Sequence, residues 1–207
     1  MTGVQTCALP IYEIYVATDD ERIFNHVTTL GCKAMMTSIN HASGTDRCAE
    51  AAQHLTDYEF VINIQGDEPF IHPHQIDLVI ELLRSDEQSQ IATLCKKIVD
   101  VKELLNPNVV KVIATHLGDA LYFSRHPIPF VRSEKNSELW LSHADFFKHI
   151  GLYGFRRDVL LAVAQLTVSP SEAAESLEQL RWLEARYRIS IAETSYESRG
   201  IDSPEDL

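Results

Sequence analysis

A short apolar segment that ends abruptly in acids constrains the fold of this chain more than any other. Residues 60–70 read FVINIQGDEPF, and the run is mostly apolar and β-branched up to Gln65. Its length and its turn-forming boundaries predict a strand buried on both faces of a parallel sheet. Gly66 permits a turn, and the proline that follows cannot continue a strand ladder. Asp67 and Glu68 are therefore expected at the rim of the sheet, where open α/β folds bind ligands.

A carboxylate at such a rim suits magnesium that is shared with substrate phosphates. The alternative is an ordinary strand-to-loop turn with solvated acids, and the isolated string favours that alternative. The rest of the chain decides whether the acids at the rim have partners.

Size and charge favour one domain that acts on small molecules. The 207 residues are 45% hydrophobic, which is enough for one substantial core. Thirty acidic residues against eighteen Lys and Arg give a net charge of −12 without a basic run, which argues against a nucleic-acid surface.

The cysteines and the apolar stretches predict a cytoplasmic location. The four cysteines show no CxxC or Cys/His ligand spacing, which indicates reduced thiols that serve as small buried hydrophobes (Cys7, Cys32, Cys48 and Cys95). No apolar stretch approaches the length of a membrane span, and the first twenty residues lack Lys and Arg.

The periodicity predicts alternating strands and helices, which favours a largely parallel sheet. A change in this rhythm at 109–124 predicts a hairpin, and the polar residues 133–145 indicate an excursion from the sheet. Strands are expected at 12–20, 33–37, 60–65, 91–98, 109–115, 120–124, 148–155 and 189–195, and helices at 20–30, 48–55, 73–83, 101–105, 157–166 and from 169 to about 187.

Three further segments contain candidate binding residues. The polar residues 40–47 precede a predicted helix, and such an N-terminus suits a phosphate or a polar ring edge, although plain capping by Ser43 or Thr45 is an equal alternative. His149 and Tyr153 are four residues apart and therefore share one face of a strand, where a lone histidine is more often structural.

A complete capping signal at Ser169 opens a predicted helix that continues to Tyr187. Glu178 and Gln179 flank its apolar stripe, and solvated surface is the default interpretation for both. Asp202 lies in a predicted loop just before another cap.

Eight short strings follow one another in a characteristic order. The strings are HASGTDR, INIQGDEP, NPNVVKV, ALYFSR, an IP pair, KHIGLYGFR, LEQLRWLE and GIDSPEDL. Each string alone is weak, but their order and intervals are specific over residues 12–207. In register they resemble one enzyme family, the 3-deoxy-manno-octulosonate (Kdo) cytidylyltransferases.

The resemblance implies a single α/β domain with a Rossmann-like nucleotide-diphospho-sugar transferase fold, in which helices flank a mixed, mostly parallel sheet. It implies transfer of CMP from CTP to Kdo, with release of pyrophosphate, for lipopolysaccharide biosynthesis. It also implies a homodimer formed with the help of an excursion at about 120–147.

The resemblance further implies roles for particular residues. Asp67 and Asp202 match the family's magnesium-binding aspartates, which serve a reaction that must neutralise phosphate charge. Arg132 is the candidate for the sugar carboxylate. The segment that holds the cytosine of CTP includes Ser43, Gly44, Thr45 and Arg47, and the sugar set comprises Gln65, Arg132, His149, Tyr153, Glu178 and Gln179.

One departure from the family concerns the start of the chain. The basic, glycine-containing loop that wraps the triphosphate is absent, and residues 1–11 match nothing in the family. We therefore expect 1–11 to be an unrelated leader and the chain as written to be weakly active or inactive, and aggregation-prone. The alternatives are a cytidylyltransferase for another 2-keto sugar acid, a non-catalytic sugar-binding or dimerising fragment, and an enzyme that transfers the sugar from a finished nucleotide sugar.

Overall fold

The computed structural model describes residues 13–68 and 70–197, and these form an α/β fold. The strands are β1 (Tyr15–Thr18), β2 (Lys33–Met36), β3 (Phe60–Asn63), β4 (Ile91–Lys97), β5 (Lys111–Ala114), β6 (Ala120–Ser124), β7 (Phe147–Arg156) and β8 (Ile189–Glu193). The helices are α1 (Glu21–Thr29), α2 (Gly44–Gln53), α3 (Pro73–Ser85), α4 (Val101–Leu105), α5 (Arg157–Val163), α6 (Pro170–Glu175) and α7 (Gln179–Glu184), with a 3₁₀ turn at Ser137–Ser142.

The strands form a two-stranded and a six-stranded sheet. In the first, β1 and β2 are parallel. The second has the order β6-β5-β7-β4-β8, and β3 pairs with β7. Within it β4 and β8 are parallel, whereas β7 runs antiparallel to β3, β4 and β5. The predicted mixed α/β sheet is therefore confirmed, although the pairing described for β3 is antiparallel and its Phe60, Val61 and Ile62 are only partly buried.

The long strand β7 departs from regular pairing beside the predicted site. Ile150 lies opposite Leu94, but Tyr153, three residues on, lies opposite the adjacent Thr93. The extra residues form a bulge, and bulges of this kind re-aim the side chains around them. The hydroxyl of Thr93 contacts the carbonyl oxygens of Ile150 at 3.2 Å and Leu152 at 2.8 Å, which closes the irregular stretch.

A glycine in β7 allows helix α3 to pack closely on the sheet. A Cβ at Gly154 would lie 2.4 Å from Cγ1 of Val79 and 2.9 Å from Cδ1 of Ile62. Glycine inside a strand often marks such a close approach. The same contact is part of a core cluster in which Val79 and Leu83 are completely buried.

Helix α1 forms where the sequence predicts it, with Asp20 as N-cap, but it buries no side chain. Ile23 is 47% exposed and Leu30 is 66% exposed. Among the described residues the sheet below it has two short strands, which cannot cover the whole apolar stripe of a helix.

The single helix predicted from Ser169 to Tyr187 is wrong, because the chain breaks there into α6 and α7. The predicted capping box at Ser169 is present. Ser176 then adopts a left-handed conformation with φ 52° and ends α6. Arg125 stabilises this end, because its guanidinium donates to the carbonyl oxygens of Glu175 at 2.6 Å and Ser176 at 3.3 Å. No helix in the described ranges is long and apolar enough to cross a membrane.

Candidate active site

The second half of the polar segment 40–47 is the first turn of a helix rather than a loop. Helix α2 begins at Gly44, four residues before the predicted start at Cys48. Ser43 is its N-cap, and its Oγ accepts a hydrogen bond from the backbone N–H of Asp46 at 3.2 Å. Residues 43–47 therefore form a rigid helix start.

Gly44 brings this helix start against the end of β3. A Cβ at Gly44 would lie 3.0 Å from both the Oε1 and the Nε2 atoms of Gln65. The absence of a side chain at Gly44 thus lets the Gln65 amide pack on the helix backbone. One member of the predicted sugar set therefore touches the predicted nucleotide segment.

Glu178 joins the same helix start to the break between α6 and α7. The hydroxyl of Ser43 donates to Oε1 of Glu178 at 3.0 Å, and the hydroxyl of Thr45 donates to Oε2 at 2.6 Å. Arg181 forms an ion pair with Glu178 from one turn further along. The default interpretation of Glu178 as solvated surface is therefore wrong, because its carboxylate is the centre of a polar junction.

Burial acts against the charge on Glu178. Burial of the carboxyl raises its pKa, while the hydrogen bond from Thr45 and the charge of Arg181 oppose that shift. Arg181 is itself 9% exposed and pairs with Glu172 at 3.4 Å as well. A cavity of about 380 Å³ opens beside this junction and is lined by Ser43, Glu178 and Arg181 among others.

The contact with Thr93 selects one tautomer of His149. Nε2 of His149 lies 2.9 Å from Oγ1 of Thr93. The single hydroxyl hydrogen of Thr93 goes to a strand carbonyl, the nearer being that of Leu152 at 2.8 Å. Nε2 of His149 therefore donates, and Nδ1 keeps a lone pair that can accept a hydrogen bond. Burial lowers the pKa of His149 to about 3, so the imidazole is neutral.

Tyr153 lies next to His149, as its spacing predicts, with the two ring centroids 5.1 Å apart. Its ring also meets Trp182 edge-on at 5.2 Å and belongs to the main core cluster. Burial raises the pKa of Tyr153 well above its usual range, and the charge of Glu178 adds to that shift. A ring buried this deeply is typical of a core residue, so Tyr153 is the least supported member of the predicted sugar set.

The remaining predicted binding residues are not all joined to this junction. Arg47 donates to Oδ2 of Asp19 at 3.0 Å and to Oγ1 of Thr37 at 2.6 Å, and so ties the helix start to the ends of β1 and β2. Gln179 is the first residue of α7 and is buried. Arg132 is exposed, and no hydrogen bond or ion pair within 13–68 and 70–197 joins it to the other candidates.

Of the predicted metal ligands, only Asp67 is described. It is exposed in the turn after β3, and its oxygens have the chemistry that magnesium prefers. Asp202 lies outside the described residues. Across the part of the chain that the structure describes, no group of three or more His, Cys, Asp or Glu is arranged to hold a metal ion. The described part thus offers one suitable carboxylate rather than a complete site.

A ring contact joins the chain that follows Asp67 to the end of the described residues. The rings of His72 and Tyr196 are stacked, with centroids 3.7 Å apart. His72 follows Asp67 by five residues, and Tyr196 precedes Asp202 by six. The contact thus places the end of the described residues beside the chain that follows Asp67.

Sequence reasoning missed two residues that orient the site. Thr93 is the one polar residue in the first five positions of β4, and a lone polar residue in an apolar strand was the available signal. Arg181 lies three residues after Glu178, a spacing at which opposite charges meet on a helix.

Comparisons with known proteins agree on one family. The sequence profile of the cytidylyltransferases matches residues 5–189. A 3-deoxy-manno-octulosonate cytidylyltransferase from Cytophaga hutchinsonii is 50% identical over 198 residues, which cover 95% of this chain and 78% of that protein. The protein of the same name from Bacteroides thetaiotaomicron is 46% identical and covers 100% of this chain and 87% of its own length.

A solved structure is similar to the whole fold. It is that of a CMP:2-keto-3-deoxy-manno-octonic acid synthetase in complex with CTP. The TM-score is 0.87 at 41% sequence identity, over 97% of this chain and 79% of that chain.

Proposed function

Because the chain belongs to the 3-deoxy-manno-octulosonate cytidylyltransferase family, we propose that it transfers CMP from CTP to the anomeric hydroxyl of Kdo. The observation that carries the proposal is the 50% identity over 95% of the chain to a relative with that name. The polar junction of Ser43, Thr45 and Glu178 supports it, because it joins the predicted nucleotide segment to the predicted sugar set.

In this reaction the anomeric oxygen of Kdo attacks the α-phosphorus of CTP. The bond from that phosphorus to the leaving pyrophosphate oxygen breaks, and the hydroxyl proton is released. Magnesium, when bound, neutralises the phosphate charge that builds up during transfer. Asp67, which is exposed in the turn after β3, and Asp202 would hold it.

The sugar is bound by side chains of different chemistry. Nδ1 of His149 accepts a hydrogen bond from a sugar hydroxyl, since Thr93 occupies the other ring nitrogen. Glu178 accepts a hydrogen bond from a further sugar hydroxyl, while Gln65 and Gln179 supply amide groups that hydrogen-bond the sugar. Arg132 pairs with the Kdo carboxylate, a task that suits its fork of donors better than the point charge of a lysine.

We also propose a homodimer, a cytoplasmic location and a role in lipopolysaccharide assembly. Exposed apolar side chains in the excursion support the dimer, because Phe130 is 71% exposed and Leu139 is 50% exposed. The free thiols of Cys32, Cys48 and Cys95 suit a reducing compartment.

The test is pyrophosphate release from CTP and magnesium, with Kdo or a sialic acid as acceptor. The expected low turnover with Kdo should still exceed turnover with the sialic acid at least about tenfold. Arg132→Lys should raise the KM for Kdo more than the KM for CTP. Equal turnover of both acids would show that the substrate is a broader class of 2-keto sugar acids and not Kdo alone. Release of CMP from a CMP-sugar would indicate a sugar transferase instead.

A further inference from the structure

Thr45 belongs to the predicted nucleotide segment, yet its side chain faces away from solvent. It is 3% exposed, and its hydroxyl donates to Oε2 of Glu178 at 2.6 Å. A side chain buried this deeply, with its single hydroxyl hydrogen already used, has no donor left for a ligand. Its hydroxyl therefore serves to bind Glu178.

Glu178 depends on these donors for its orientation. It lies at the N-cap position of α7, immediately after the break, and its side chain forms no cap hydrogen bond there. Ser43 and Thr45 each donate to a different carboxylate oxygen, so together they fix the plane of the carboxylate. Arg181 forms its ion pair with the oxygen that Ser43 contacts, and it leaves Oε2 to Thr45.

We propose that Thr45 is a positioning residue for the sugar, which holds the Glu178 carboxylate in the orientation that accepts a Kdo hydroxyl. This inference rests on the proposed function, because it assigns Glu178 to the sugar. Its consequence is that a residue of the nucleotide segment sets the affinity for the other substrate without touching either one.

Loss of the Thr45 hydroxyl changes Glu178 in two ways. Oε2 loses its nearest donor, which frees the carboxylate to rotate toward Arg181. The pKa of Glu178, already raised by burial, rises further because the hydrogen bond from Thr45 is the main influence that lowers it. Asp46, Arg181 and Tyr153 also act on this carboxyl group, and all three remain unchanged by the substitution.

The experiment measures Kdo binding to the full chain by calorimetry, without nucleotide. Thr45→Val removes the hydroxyl at nearly constant volume, and Thr45→Ser keeps it. Ser89→Ala is the matched control, because Ser89 is fully buried and its hydroxyl has no partner within the described residues. We expect a Kd about tenfold higher for Thr45→Val, and values within about twofold of the parent for the other two.

A pH series separates positioning from a general loss of structure. In Thr45→Val the pH below which Kdo binding weakens should move upward, because Glu178 takes up its proton earlier, whereas a merely loosened fold leaves that midpoint unchanged. Should Thr45→Val lack a cooperative melting transition, Thr45→Ala provides the same comparison. An unchanged Kd and midpoint in the folded variant would overturn the inference, whereas a parent that fails to bind Kdo would overturn the proposed function itself.

Discussion

At the scale of single residues, hydrogen-bond partners decide which chemistry a side chain can perform. Thr93 takes Nε2 of His149 and leaves Nδ1 as an acceptor. Ser43 and Thr45 each donate a hydrogen bond to a different carboxylate oxygen of Glu178. Each of these partners lies far away in sequence, so the spacing of candidate residues alone does not reveal it.

His149 should make the stability of the protein depend on pH. Its folded pKa of about 3 lies below its ordinary value of 6.5, so the unfolded chain takes up the proton first as the pH falls. The contribution of neutral His149 to the free energy of unfolding is complete above about pH 6.5 and is lost toward pH 3. As the pH falls from 7 to 5, the free energy of unfolding of His149→Gln should therefore rise by about 1 to 2 kcal/mol relative to that of the parent. Urea unfolding at each pH measures this difference. A constant difference between the two proteins across this range would contradict the prediction.

Asp67 should matter for turnover and not for folding. Its carboxylate is exposed after β3, so Asp67→Asn should leave the melting temperature within about 1 °C of the parent. Pyrophosphate release should fall at least about 100-fold, since the carboxylate is a proposed magnesium ligand. Asp57→Asn removes another exposed acid and is the control. Retained activity in Asp67→Asn would exclude this residue from the metal site.

At the scale of elements, the break between α6 and α7 determines where the sugar side chains lie. Ser124 donates to Oε1 of Glu175 and the N–H of Arg125 donates to Oε2, at 2.7 and 2.8 Å. The guanidinium of Arg125 then satisfies carbonyl oxygens at the end of α6. These contacts from β6 favour a left-handed Ser176 over a continuous helix, and the break places Glu178 against α2.

Position 176 should accept glycine better than any other substitution. Its φ of 52° costs a residue with a Cβ about 1 kcal/mol, and glycine does not carry that cost. Ser176→Gly should raise the free energy of unfolding by about 0.5 to 1 kcal/mol, whereas Ser176→Val should lower it by about 1 kcal/mol. Chemical denaturation measures both, and a less stable glycine variant would show that the Ser176 side chain itself supports the break.

At the scale of the whole molecule, the uncovered apolar surface suggests self-association. Trp140 and Phe146 of the excursion pack in a small core cluster with Ile98 and Leu104, while Phe130 meets Trp140 edge-on at 5.1 Å and stays exposed. Burial of such side chains against a second copy would remove apolar area from water, at about 25 cal/mol for each Å².

Phe130→Asp should weaken the proposed dimer. A charge placed in the centre of an apolar interface loses its hydration on association, so the variant should be monomeric at concentrations where the parent is dimeric. Light scattering coupled to gel filtration measures the mass of both, and Val168→Asp, an exposed apolar residue outside the excursion, is the control. A parent that is monomeric at all concentrations would refute the dimer.

The sequence by itself determined most of the secondary structure and the family. Caps and periodicity are local, so the starts of α1, α3 and α6 were predicted correctly. Only the tertiary structure decided the break at Ser176, the exposure of α1 and the role of Glu178. Each of these depends on groups distant in the chain, because Arg125 stabilises the end of α6, a narrow sheet leaves α1 uncovered, and Thr45 binds Glu178 across 133 positions. Local patterns carry no information about such partners until the chain has folded.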